Sequence, residues 1–264
     1  MKDVIDKIKE LALAHDTIDP ELIAKKDVKL GLRNADGTGV IVGITRKGRV
    51  YGYEKVHSEN GKTVKKPMPG KLFYCGYDVE KIVEGLRKKD TYGFEEIVYL
   101  LLTGQLPNEA DLTYFSESLA ARRHLSKLER MIIVEEVLND NQMYGLHSVI
   151  SHLARCDPNA DTRDLDYNCE QLINLIAKFP TIVAYNYNVM RFRKGGDLML
   201  LMPKPDKNTA ENFLYMLHGI EPDPYDAKIF DIMMVLHAEH GGGNNSTFSV
   251  RTVSSSGANT YMSI

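Results

Sequence analysis

His237 and His240 stand three residues apart in "VLHAEHGGGNNSTFSV", followed by Gly241, Gly242 and Gly243 and then by Asn244, Asn245, Ser246 and Thr247. Side chains three apart share a helix face, so the two imidazoles can point in similar directions. The glycines end a helix and let backbone approach another group closely, and the Asn/Ser/Thr run is rich in residues that cap a new helix. A helix end bearing histidine would then face the amides at the start of the next helix. There, unpaired N–H groups and the helix dipole favour a small anion.

Three chemistries fit these residues. Histidine near a helix C-terminus interacts favourably with the dipole, so one reading is a polar corner that caps the helix. A second is a metal site: His-x-x-His with Glu239 supplies ligand types, but the HExxH order is missing and glycines stand where further ligands would be needed. The third is a cleft that binds a carboxylate or carbonyl substrate.

The segment leading into the histidines, "YDAKIFDIMMVLHAEH", is apolar nearly all round, which predicts a helix over 225–240 that is buried and delivers His237 and His240 to a buried or cleft position. Apolar periodicity predicts further helices from Asp78 onward, over "FEEIVYLLLTGQLP", and at about 108–125, 126–140, 144–155, 168–193 and 209–219. Gly104 and Pro107 end the second of these. Pro180 lies inside "INLIAKFPTIVAYNY" and predicts a kink or break in a long central helix. Between Gly31 and Tyr77, "GVIVGITRKGRVYGYEKV" gives two strand-like runs around Lys47-Gly48, a small hairpin. The glycines of "GTGVIVG" fall inside that strand pattern with no helix opening after them, which speaks against a phosphate loop. The fold class is therefore mostly α, with a helical segment over 1–30, a β-hairpin region over 31–77 and a helical domain over 78–264.

The 33 basic and 36 acidic residues are interspersed and leave a formal charge of −3, so no stripe of one sign points to nucleic acid or a membrane surface. No apolar run reaches the roughly 18 residues of a membrane span. "MKDVIDKIKELALAH" reads as a structural amphipathic helix, because its acids are wrong for a transit peptide. Cys75, Cys156 and Cys169 are odd in number and show no metal-ligand spacing, which fits a reducing cytoplasm.

"LHAEHGGGNNSTFSVRTVSSSGAN" closely resembles the citrate synthase pattern, in which a His-x-x-His helix end runs into an Asn-x-Ser segment and a helix bearing Val-Arg-Thr. "LFYCGYDVEKIV", "FEEIVYLLLTGQLP", "FPTIVAYNY" and "NFLYMLHGIEPDP" resemble further family segments in the family's order, from about Gly31 to Ile264. The resemblance implies a multi-helical large domain and an activity that condenses oxaloacetate with acetyl-CoA to citrate and CoA, without metal or prosthetic group. It implies that His240 binds oxaloacetate and polarises its carbonyl, that Asn244 lies near the substrate, and that Ser246 positions the catalytic imidazole of the next motif. His237 is expected to be structural, and a homodimer is expected.

That next motif, a Gly-Pro-x-His-Gly turn, does not occur in these 264 residues, nor do the family's second oxaloacetate histidine and its aspartate base. Acid and base groups each contribute roughly 10²- to 10⁴-fold, so the chain alone is expected to be inactive and, lacking covering helices, to self-associate. Two alternatives stand beside this one. A 2-methylcitrate synthase would accept propionyl-CoA instead, and a catalytically dead helical dimerisation module would not need the polar cluster His240, Asn244 and Ser246.

Overall fold

The structure, a computed structural model, describes residues 44–57, 63–138, 140–241 and 244–264, with isolated positions between 21 and 40. The chain divides into Met1–Gly43 and Ile44–Ile264. In the first unit, Arg33 and Gly39 form an antiparallel bridge, and the Val40 N–H donates to the Leu32 carbonyl at 2.9 Å. The helix expected over the first fifteen residues lies outside the described residues, as does most of "GTGVIVG".

The second unit opens with strand β1, Gly48–His57, paired antiparallel with β2, Thr63–Tyr74, in a register running from Gly48↔Tyr74 to His57↔Thr63. Lys47-Gly48 is thus not the hairpin turn that the sequence suggests, since Gly48 is the first residue of β1. It is glycine for a different reason: a Cβ there would collide with the Cγ of Glu239 and stand 2.8 Å from the Gly241 nitrogen. Cys75 and Gly76, both at positive φ, turn the chain into β3, Tyr77–Asp78, on the far side of β2.

Among the described residues ten helices follow: α1 Val79–Lys89, α2 Phe94–Thr103, α3 Glu109–Arg122, α4 Lys127–Glu136, α5 Gln142–Cys156, α6 Leu165–Arg193, α7 Thr209–His218, α8 Pro224–His237, α9 Asn245–Ser255 and α10 Thr260–Ser263. The mostly α expectation is met. Their starts are dictated locally: Asp78, Asn108, Ser126, Asn141, Asp164, Asn208 and Asp223 each accept a backbone N–H of the helix they precede. Gly104, at φ +91°, ends α2 in the left-handed conformation. Among the described residues no helix is long and apolar enough to cross a membrane.

Two cores result. The larger gathers Ile133, Val149, Leu153, Ile182, Tyr185 and Met216 from α4, α5, α6 and α7. The helix α6 runs unbroken through Pro180, so the break allowed by the sequence does not occur. Burial on both sides of the proline, by Leu175 and Ala177 before it and by Thr181, Ile182 and Ala184 after it, outweighs the lost backbone hydrogen bond. The smaller core joins Tyr74 of β2, Val79 and Leu86 of α1, Ile97 and Leu100 of α2, and Val235 of α8.

Polar contacts pin these helices where apolar packing alone would let them slide. Glu95 on α2 accepts from the Thr209 N–H at 2.8 Å and its hydroxyl at 2.7 Å, capping α7, and meets the buried Arg123 Nη2 at 3.3 Å. Asp231 of α8 does the same for α2, whose own N-cap is Gly93: its carboxylate accepts the Gly93 N–H at 2.7 Å and the Phe94 N–H at 3.1 Å.

Candidate functional site

The candidate site is the segment from the end of α8 to the start of α9. Asp223 caps α8 and Pro224 occupies its first turn, where the missing N–H costs nothing. Ala227, Asp231 and Val235, spaced four apart, form the buried face. The opposite face is open, with Ile229, Met233 and Leu236 roughly half exposed, so the all-round burial expected from composition is not found in this chain.

The helix stops at His237, three residues earlier than expected, and His240 lies in the loop beyond it. Both histidines are exposed rather than buried. His237 turns its Nδ1 back to the Met233 carbonyl one turn earlier, at 2.7 Å.

What fixes the loop is Glu239, which the sequence presents only as a metal-ligand type. Its Oε1 accepts the N–H groups of His240 at 3.0 Å and of Gly241 at 2.6 Å. Tyr74, completely buried, donates its hydroxyl to the Val235 carbonyl at 2.8 Å and accepts the Glu239 N–H at 3.4 Å. Burial first, and then the nearby Glu239 charge, push the Tyr74 phenol above its ordinary pKa, so it remains a neutral donor. Gly241 adopts φ +89°, and its Cα faces the Gly48 carbonyl so closely that a Cβ would stand 2.9 Å from that oxygen.

The Asn244 N–H donates to the Gly241 carbonyl at 3.3 Å, closing the turn, and the Asn244 side chain accepts the N–H groups of Ser246 at 2.7 Å and Thr247 at 3.2 Å. The cap expected among Asn244 to Thr247 is therefore Asn244, which brings it against Ser246, while Ser246 itself is exposed in the first turn of α9. Gly242 and Gly243 lie outside the described residues.

The sequence suggests free amides that could hold an anion here. Four of these donors are instead engaged internally, those of His240 and Gly241 by Glu239 and those of Ser246 and Thr247 by Asn244. The exposed imidazole of His240 is then a group that a charged substrate at this junction can reach. Among the described residues no group of three or more His, Cys, Asp or Glu is arranged to hold a metal.

Tyr74, Gly48 and Asp231 carry no local signal of these roles, because each acts on a segment more than a hundred residues away. Asp231 is 1% exposed, and burial pushes its pKa up to about 6 against the pull of the two amides it accepts, with the Glu95 charge adding to the rise.

A family model described as "Citrate synthase, C-terminal domain" matches residues 39–264. The chain is 36% identical over 201 residues to the citrate synthase of Haloferax volcanii, covering 74% of this chain and 49% of that protein. It is 30% identical over 245 residues to a 2-methylcitrate synthase of Mycobacterium tuberculosis, covering 93% of this chain and 54% of that one. Its fold matches the crystal structure of citrate synthase from Pyrobaculum aerophilum with a TM-score of 0.66 at 26% identity, over 88% of this chain and 55% of the other. The chain spans about half the length of the curated relatives it matches.

Proposed function

We propose that this chain, which belongs to the citrate synthase family, binds oxaloacetate at the His240 loop as part of an enzyme that condenses it with acetyl-CoA to give citrate and CoA. The observation that carries this reading is that His240 is exposed on a loop where the N–H groups of His240, Gly241, Ser246 and Thr247 are already engaged, which favours its imidazole as the group that meets the substrate. In this reading the imidazole of His240 donates a hydrogen bond to the keto oxygen of oxaloacetate. That bond strengthens as negative charge develops on the oxygen during attack by the acetyl methyl carbon, and a preorganised donor of this kind is worth roughly 10²- to 10³-fold.

Asn244 lies near the substrate in this proposal, and Ser246 positions the catalytic imidazole of the next family motif. The chemistry consists of proton transfer and charge stabilisation and calls for no metal or prosthetic group. We also propose a cytoplasmic homodimer, which the exposed apolar residues Leu128, Met131, Leu138, Met143 and Tyr144 support as material for an interface. The 264 residues taken alone are proposed to bind oxaloacetate without turnover.

A second reading, condensation of propionyl-CoA to 2-methylcitrate, is favoured by the similarity to a 2-methylcitrate synthase. The site residues proposed here act on oxaloacetate, which both reactions share, so the choice between thioesters lies with the acyl pocket.

Titration calorimetry of oxaloacetate into the purified chain and its His240→Ala variant tests the proposal. Binding by the parent chain weakened at least about tenfold by the substitution is expected, the cost of one such donor. Equal affinity in the two, or binding by neither, would sink it.

A further inference from the structure

We infer that Tyr74, Glu239 and Gly48 form a latch that sets the orientation of His240, which makes Glu239 and Tyr74 positioning residues for the substrate-facing imidazole. The inference rests on the proposed role of His240 in binding oxaloacetate.

A helix leaves its last carbonyls without partners, and a chain that then runs into three glycines has little intrinsic preference for one path. Tyr74 answers the first problem: its hydroxyl satisfies the Val235 carbonyl at 2.8 Å and, from the same oxygen, accepts the Glu239 N–H. The phenol is completely buried in the smaller core, so the end of the helix is tied to the sheet.

Glu239 answers the second problem. One carboxylate oxygen gathers two consecutive N–H groups, on His240 and Gly241, and so fixes the backbone on both sides of the His240 Cα. Hydrogen bonds to a charged acceptor are about twice as strong as neutral ones, and two amides sharing it restrict the local dihedrals together. The direction in which the His240 side chain leaves the backbone follows from that restriction.

Gly48 is what lets Glu239 reach this position. Any side chain at 48 would overlap the Glu239 Cγ and press on the Gly241 nitrogen, and Gly241 in turn has room for nothing beyond hydrogen on its Cα because of the Gly48 carbonyl. The start of β1 and the histidine loop therefore fit only as a glycine-to-glycine contact, across 193 residues of sequence. Disturbing either side displaces the carboxylate and releases His240.

The test uses the full 264-residue chain and the variants Glu239→Ala, Glu239→Gln and Gly48→Ala, each also combined with His240→Ala. Oxaloacetate affinity is measured by calorimetry, and the His240 ring resonances by NMR. Glu239→Ala and Gly48→Ala are expected to weaken oxaloacetate about tenfold and to shift the His240 signals, whereas Glu239→Gln, which keeps an acceptor oxygen, stays within about twofold of the parent. In the His240→Ala background the same substitutions are expected to have no further effect, because residues acting through one partner do not add.

Glu239→Ala weakening the His240→Ala variant as much as it weakens the parent would overturn the latch, as would unchanged affinity and unchanged His240 signals. If neither the parent nor His240→Ala binds oxaloacetate, the proposed function fails but the ring resonances still decide the latch. Shifts in Glu239→Ala and Gly48→Ala but not in Glu239→Gln then support it, and unshifted signals in all three refute it.

Discussion

Ile182, Tyr185 and Val189 of α6 are completely buried, whereas α9, eleven residues long, buries none of its side chains. Two regions of one molecule are thus held by different physics. The bundle around α6 is stabilised by apolar burial against α4, α5 and α7 and by polar pins such as Glu95 with Arg123. An isolated helix as short as α9 is marginal in water, so its place depends on the Asn244 cap and on the turn before it. The helix α8 belongs to both regions, anchored in the body through Asp231 and Val235 and ending at the loop that carries His240. The proposed chemistry therefore sits where burial contributes least and a few directed hydrogen bonds contribute most.

The sharpest way to break this contrast is to attack the body's polar pins. Arg123→Ala leaves Glu95 buried beside Thr209 without its countercharge, and should cost about 3–5 kcal/mol by equilibrium denaturation. A loss under about 1 kcal/mol would mean that the pair is not what locks α2 against α3 and α7. Truncating the apolar side of the same region, Ile182→Ala, should cost about 3 kcal/mol through lost burial and a residual cavity.

Asp231 gives a pH-dependent version of the test. An aspartate whose folded pKa of about 6 lies above its unfolded value holds its proton more tightly when folded, so its contribution to stability is greatest below about pH 4 and falls as pH rises to about 6. Measured against Asp231→Asn, which cannot ionise, the parent chain should lose on the order of 2–3 kcal/mol of relative stability between pH 4 and 7. A difference that stays constant over that window would show that the two amide hydrogen bonds, rather than burial, set its ionisation. At the other extreme, Val253→Ala on α9 should change global stability by no more than about 0.5 kcal/mol. A larger loss would move α9 into the cooperative body and erase the contrast.

How far the sequence carried this architecture depends on the range of the interaction. Helix starts at Asn108, Ser126, Asn208 and Asp223 and the stop at Gly104 are legible because capping is settled within four residues of chain. The start of α9 is legible in the same way, since Asn244 in the Asn/Ser/Thr run accepts the first amides of that helix. Lys47-Gly48 reads as a turn in sequence because the reason for a glycine there, the Glu239 stem, is supplied by the far end of the chain. Pro180 predicts a kink or break because local propensity does not see the buried surface on both sides of it. The engaged amides around His240 are not legible for the same kind of reason: a donor count at a helix junction says nothing about which nearby carboxylate or amide oxygen will take the donors.

The most direct measurement is native-state amide hydrogen exchange on the parent chain and on Glu239→Ala, read at His240 and Gly241 and along α6. A loop held by its own hydrogen bonds predicts protection at both loop amides in the parent, its loss by at least about tenfold in the variant, and unchanged exchange in α6. Loop amides that exchange alike in both proteins, or α6 amides that speed up together with them, would contradict the claim that a few directed contacts hold the histidine loop independently of the larger core around α6.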